Sequence, residues 1–278
     1  MIVWVDGELR PEDQVRISPF DHGLLTGDGV FETLRVYDGV PFAWTRHLQR
    51  LARSAEGLGL DLPSGDVLRQ ASEGVLAANR LEEARLRITV TGGPAPLGSD
   101  RGEAKPTALV AASSLPERPP VTPVATVPWS RNEGGALAGL KTISYGENVR
   151  ALAYATARGA GEAIFPNTRG NLCEGTGTNV FLVTEGTLVT PPESSGCLLG
   201  VTRALVLELA VHLGIPVAEA DVAVSALAEA DEAFITSSTR EVQPVSAVDG
   251  RPLPSAPGPV TAKLADAFSG LVVENRDP

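Results

Sequence analysis

The chain has 278 residues, 43% of them hydrophobic and 21% charged, a balance that fits a folded globular protein with one large or two medium domains. A net charge of -11, with no lysine- and arginine-rich patch, excludes a general nucleic-acid binder, because phosphate backbones are held by clustered cations. No apolar run reaches the roughly 20 residues of a membrane helix, and Met1 to Arg10 lacks the features of a secretory signal, so a cytoplasmic protein with no membrane partner is expected.

Ile2-Val3-Trp4-Val5, the Asp6-Gly7 turn and a return strand through Val15 to Ile17 read as an edge hairpin. A glycine-rich loop from Ser18 to Gly29 precedes an alternating strand, Val30 to Tyr37. Thr45 is placed to cap a helix from Arg46 to about Gly57, with Leu48, Leu51, Ala52 and Ala55 facing the core. A second helix near Val67 to Asn79 leads to an alternating strand, Ala84 to Thr91. The Gly92 to Gly98 loop then reads as mobile or packed at an interface. A strand from Thr107 to Ser113 closes the first half, and the proline-rich Leu115 to Pro120 is the best linker in the chain. The expected organisation is a small domain over 1–114, a linker at 115–122 and a larger domain over 123–278.

The second half opens with a strand near Val121 to Val127. The segment around Lys141 follows, with its helix running through Asn148 to Arg158. Strands are expected at Ala163 to Pro166 and Thr178 to Val183, the latter paired with Gly186 to Thr190. A helix from Thr202 to Leu213, a strand from Glu232 to Thr236 and a terminal helix from Val260 to Leu271 complete the pattern. Cys173 and Cys197 are too far apart for a metal-binding doublet, and His22, His47 and His212 are scattered. No catalytic metal is expected.

Lys141 stands in a chain whose other lysines are Lys105 and Lys263. Alone it fits either a solvated charge at a helix start or a desolvated amine ready for Schiff-base chemistry. A carbonyl cofactor bearing a pyridine ring and a phosphate would need a lysine, a carboxylate and an anion site. Glu174 lies in a glycine-flanked turn before a strand. Gly200-Val201-Thr202 runs into a helix whose first-turn amides and dipole can hold an anion. Ser237-Ser238-Thr239 adds small donors, and Arg46 offers a planar fork for phosphate.

These residues stand in an ordered set with Ser18 to Gly23, Gly29 to Arg35, Arg46-His47 with Arg50-Leu51, Asn179-Val180-Phe181, Thr202-Arg203 and Arg240 to Val245. The whole set resembles the class IV aminotransferases, the fold-type IV pyridoxal-phosphate enzymes, over nearly the full length. The resemblance implies an α/β (α+β) fold, with a small N-terminal α/β domain and a larger C-terminal domain built on a mixed sheet or barrel core. It implies pyridoxal 5'-phosphate as cofactor and a homodimer in which loops of one subunit complete the other's site. By it Lys141 is the Schiff-base lysine and proton shuttle, Glu174 the partner of the pyridine nitrogen, and Tyr145 a neighbour of the phenolic oxygen. Arg46, Gly200, Val201, Thr202 and Ser238 would hold the phosphate. Phe31, Thr33, Arg35, Ser237, Thr239 and Arg240 would face the substrate, an amine, an amino acid or aminodeoxychorismate.

Within that family three details favour 4-amino-4-deoxychorismate lyase: Phe31-Glu32-Thr33, the spacing of Tyr145 and Asn148 after Lys141, and a Gly92 to Leu97 loop without an Arg-x-His carboxylate trap. The alternative is a transaminase acting on D-amino acids, branched-chain amino acids or (R)-amines.

Overall fold

The structure, a computed structural model, describes residues 1–278 and divides into two compact units. The first unit comprises Met1–Pro116 together with two remote pieces, Leu140–Tyr145 and Arg276–Pro278. Its elements are β1 (Ile2–Val5), β2 (Glu8–Pro11), a short α1 (His22–Leu25), β3 (Gly29–Tyr37), β4 (Val40–Pro41), α2 (Trp44–Leu58), α3 (Gly65–Asn79), β5 (Ala84–Thr91) and β6 (Thr107–Ser114). The strands form one antiparallel sheet in the order β2-β1-β6-β5-β3-β4.

Because side chains alternate across a strand, β3 turns Val30, Leu34 and Val36 to a core shared with Leu51, Ala55, Leu68 and Val75 of α2 and α3. Glu32 takes its place on that same apolar face and is 1% exposed. Phe31, Thr33 and Arg35 point to the other side.

The return strand of the first hairpin ends at Pro11, where a 3-10 turn over Glu12–Gln14 begins, well before the expected Val15 to Ile17. Helix α2 starts earlier than expected, with Ala43 in the capping position and Thr45 inside the first turn. Its buried face is Trp44, His47, Arg50, Leu51, Ser54 and Ala55, whereas Ala52 is exposed. Three polar residues thus lie on a stripe read as purely apolar.

The loop after β5 is held at many points. His22 N donates to Gly93 O at 2.9 Å, Ala95 N to Phe20 O at 3.1 Å, and the His22 ring lies 2.9 Å from Pro96 O. Arg101 clamps Asp28 through Nε and Nη2 and donates to the Leu58 and Gly59 carbonyls at the end of α2. Gly93 has φ +74, and a Cβ there would sit 1.8 Å from Lys105 O, so both the turn and the close approach require glycine.

The second unit comprises Glu117–Gly139 and Gly146–Asn275. It contains β7 (Thr122–Thr126), α4 (Gly146–Thr156), β8 (Glu162–Pro166), β9 (Leu172–Gly175), β10 (Asn179–Thr184), β11 (Thr187–Thr190), α5 (Val201–His212), β12 (Val217–Glu219), β13 (Glu232–Ser237), β14 (Glu241–Val248), β15 (Arg251–Pro252) and α6 (Pro259–Glu274). The sheet is mixed, in the order β12-β11-β10-β13-β14-β7-β8-β9, with β15 paired to β14. Parallel pairs join β11 to β12, β14 to β7 and β7 to β8. Val124, Ile164, Val180, Ile235 and Val245 fill one core of this unit, and Ala151, Ala155 and Phe165 of α4 and β8 fill another. No helix is long and apolar enough to cross a membrane.

Candidate active site

The predicted site residues are divided between the two units. In the first, Lys141 sits in an extended segment, with the helix expected around it starting only at Gly146. Its backbone is fixed on both sides: Phe31 N donates to Lys141 O at 3.1 Å, and Lys141 N donates to Ser54 Oγ at 3.0 Å. Lys141 Nζ lies 4.2 Å from the centre of the Phe31 ring. That ring also meets Tyr145 edge-on, with centroids 5.2 Å apart. Phe31, Lys141 and Tyr145 are therefore brought together.

The guanidinium of Arg87 completes this group, 3.8 Å from the Phe31 ring centre. Arg87 stands directly opposite Thr33 in the β3–β5 register, a placement readable only once that pairing is known. Arg35 takes a different partner, with Nη2 2.7 Å from Glu83 Oε2 and its guanidinium 4.7 Å from the Tyr37 ring centre.

Arg46, expected at the phosphate, donates from Nε to Pro278 O at 2.8 Å. One turn along, Arg50 lies buried and pairs side-on with Glu32: Nε donates to Oε1 and Nη2 to Oε2, each at 2.8 Å. His47 Nδ1 lies 2.7 Å from Glu32 Oε2. Arg50 is thereby held in a charge-assisted, side-on carboxylate pair. It is the arginine that sequence reasoning missed. The available signal was His47, Arg50 and Ser54 falling at helical spacing on an otherwise apolar stripe.

In the second unit Glu174 is half-buried on β9. Its Oε2 accepts from Leu198 N at 2.9 Å, and its Oε1 lies 3.3 Å from Arg131 Nε. Arg131 is itself placed over the Phe165 ring at 4.2 Å and donates to Asn148 Oδ1 at 3.0 Å. A carboxylate held this way between a backbone amide and a guanidinium has the chemistry to pair with a pyridinium nitrogen. Arg131 too was missed as part of the site.

Helix α5 begins at Val201 after Gly200, and no side chain caps it. A Cβ on Gly200 would lie 2.1 Å from Asn179 Oδ1, so the residue must be small where the chain enters the helix. The uncapped first-turn amides of Val201 and Thr202 are the donors that a phosphate requires.

Ser237 ends β13, and Ser238, Thr239 and Arg240 form the turn into β14. There Arg240 N donates to Ser237 Oγ at 3.1 Å. The Arg240 guanidinium is engaged with Gln243 and with Gly161 O, so it braces the turn. That geometry argues against the carboxylate-binding role expected of it.

A lysine amine beside an aromatic ring, an oriented carboxylate, an uncapped helix start and a buried arginine together fit pyridoxal phosphate by their chemistry. The chain matches the family model described as amino-transferase class IV over residues 29–248. A Methanocaldococcus jannaschii protein, whose name assigns it branched-chain-amino-acid aminotransferase activity, is 36% identical, covering 98% of this chain and 96% of the relative. The D-alanine aminotransferase of Staphylococcus aureus strain N315 is 32% identical, with 97% of each chain covered. Among solved structures, the branched-chain aminotransferase of Thermoproteus uzoniensis with norvaline superposes with a TM-score of 0.92 at 32% identity, covering 100% of this chain and 97% of that one. A Legionella pneumophila protein assigned as a 4-amino-4-deoxychorismate lyase gives 0.86 at 27% identity, covering 93% and 96%. The chain belongs to the class IV aminotransferases, pyridoxal-phosphate enzymes of fold-type IV.

Proposed function

We propose that the protein is a transaminase that moves the amino group of an α-amino acid to a keto acid, with branched-chain amino acids as the first class of donor. The carrying observation is that Arg87 and Lys141 both pack on the Phe31 ring, 3.8 and 4.2 Å from its centre, so that one aromatic side chain contacts both a guanidinium and the reactive amine. An α-carboxylate bound bidentately there presents its neighbouring carbon to the lysine. Arg87 donates from Nε to Thr89 Oγ1 at 3.1 Å, whereas Arg35 is paired with Glu83 and Arg240 with Gln243 and Gly161 O.

Bound at this site, pyridoxal phosphate supplies a ring that accepts the electrons released at the substrate carbon. Lys141 Nζ would hold its aldehyde, and the same amine would serve as the base for the proton on the α-carbon. Glu174 keeps the ring nitrogen protonated. The Val201 and Thr202 amides and Ser238 of the second unit would take the phosphate, Arg50 of the first unit is a candidate for the same group, and Tyr145 would neighbour the phenolic oxygen. The Phe31 ring packs against the amine. A D-amino acid preference is less well supported, because Arg101 is the one arginine in the loop after β5, and it is spent on Asp28.

The second reading is aminodeoxychorismate lyase, favoured by Thr33 in β3 and by the Legionella structure. The relatives favour transamination over the lyase, which becomes the alternative. One assay separates them. Holoenzyme is given L-leucine, L-valine, D-alanine or an (R)-amine with 2-oxoglutarate, and separately aminodeoxychorismate with no acceptor. Turnover of L-leucine or L-valine that depends on the keto acid and vanishes in Lys141→Ala supports the proposal. Pyruvate released from aminodeoxychorismate alone overturns it in favour of the lyase.

A further inference from the structure

Lys141 reaches the first unit from far along the chain, and its backbone is tied there on two sides. The Leu140–Tyr145 piece lies along the start of β3, where Val30 and Thr142 form an antiparallel bridge. That bridge is flanked by bonds from Phe31 N to Lys141 O at 3.1 Å and from Ile143 N to Gly29 O at 2.9 Å. The other tie comes from α2. Lys141 N donates to Ser54 Oγ at 3.0 Å across 87 residues of sequence, and Ser54 is 1% exposed. Further along the same helix face, a Cβ on Gly57 would lie 2.7 Å from Leu140 Cδ2, so the helix and the lysine segment are in close contact at two points.

A peptide group is planar, so a bond to the carbonyl of a residue and another to its amide fix the two planes that flank its Cα. With both planes set, the direction of the Cα–Cβ bond is set as well. Lysine carries its amine on a flexible four-carbon stem, and a fixed root narrows the volume that Nζ samples. We infer that Ser54 is a positioning residue: its hydroxyl oxygen, by accepting the Lys141 amide, fixes the root of the lysine so that Nζ meets the cofactor's aldehyde ready for covalent attachment. The inference rests on the reading of Lys141 as the lysine whose nitrogen bonds to the aldehyde carbon, with loss of water. Without the oxygen the amide faces a buried methyl group and the segment relaxes away from it. Covalent attachment must then restore the original placement, while binding that involves no bond to Lys141 carries no such cost.

The test titrates the full-length apoprotein with pyridoxal 5'-phosphate and with pyridoxamine 5'-phosphate, which bears an amine in place of the aldehyde and cannot bond to the lysine. The proteins are the parent, Ser54→Ala, Ser54→Thr, Lys141→Ala and Lys141→Ala/Ser54→Ala. Ser54→Ala should weaken binding of the aldehyde about tenfold, the size of one buried donor left without an acceptor. Pyridoxamine 5'-phosphate should stay within about twofold of the parent, as for a change that does not couple to its binding. Ser54→Thr keeps the oxygen and should restore most of the preference for the aldehyde. In the Lys141→Ala background, Ser54→Ala should alter neither affinity. Equal losses for both forms of the cofactor, or no loss for either, would overturn the inference.

Two further measurements separate the ways of failing. Hydrogen exchange at the Lys141 amide needs no cofactor, and it should be faster in Ser54→Ala; unchanged exchange means that the hydroxyl does not hold the lysine, whatever the lysine does. Borohydride reduction of the parent holoenzyme should leave the cofactor on Lys141. An adduct that maps to another residue means that the lysine reading is wrong, and the inference falls with it.

Discussion

Glu32 shows how much one side chain can decide. Burial alone would raise its pKa, but the Arg50 guanidinium and His47 outweigh that effect and hold it well below the usual carboxylate range. Burial pushes the His47 imidazole below its ordinary value, and the Glu32 charge restores only part of the shift. Both groups bind protons more readily in the unfolded chain than in the fold. Stability from His47 is therefore present above its unfolded pKa of about 6.5 and is lost as pH falls below it, while that from Glu32 is present above about 4.3 and is lost on further acidification. Thermal unfolding from pH 8 to about 3 should show a midpoint that drops below about pH 6.5 and drops faster below about 4.3. In His47→Gln the first decline should shrink, and an unaltered slope between pH 6.5 and 5 would rule out this account.

The arginines divide in the same way, by what already occupies them. Arg87→Ala should raise KM for an amino-acid donor about 10- to 100-fold, the loss of one charge-assisted pair, and leave stability within about 0.5 kcal/mol. Arg240→Ala should do the reverse, lowering the unfolding midpoint while sparing KM, because its guanidinium serves Gln243 and Gly161. Steady-state kinetics beside thermal melts would expose an inverted assignment.

At the scale of elements, strands were legible where alternation was strong, as in β3 and β5, because a half-buried pleated surface writes a period of two into the sequence. Strand β14 was not. Its Pro244 cannot donate to a ladder, and proline inside a run reads as an edge or a break, yet β14 lies between β13 and β7. The strand tolerates the proline beside an irregularity in its pairing with β7 between Val245 and Ala247.

Caps were less legible still. Thr45 looked like one and is not, while the acceptor for α6 is Glu232 of β13, which takes the Val260 and Thr261 amides. A carboxylate that caps a helix from far along the chain leaves no local pattern. The candidate site was read in outline for the same reason. Lys141, Tyr145 and Glu174 carry motif context, whereas Arg50, Arg87 and Arg131 owe their places to register and burial.

At the scale of the molecule, the loop that the sequence marked as mobile or interfacial is pinned by Arg101, Gly93 and the His22 ring, and it presents Leu97 at 73% exposure. The segment to which it is tied presents Phe20 at 52% and Leu24 at 69%. Large apolar side chains on two rigidly joined loops are costly in water, and covering them with the same surface of a second copy removes that cost in both chains at once. Pre-ordered loops also lose little freedom on association. The protein should therefore run as a homodimer, at twice 28.9 kDa by light scattering. Leu24→Asp/Leu97→Asp should shift it toward monomer at micromolar concentration without lowering helical content. A parent protein that scatters as a monomer would refute the assembly, and a double variant that stays dimeric would move the interface to another face.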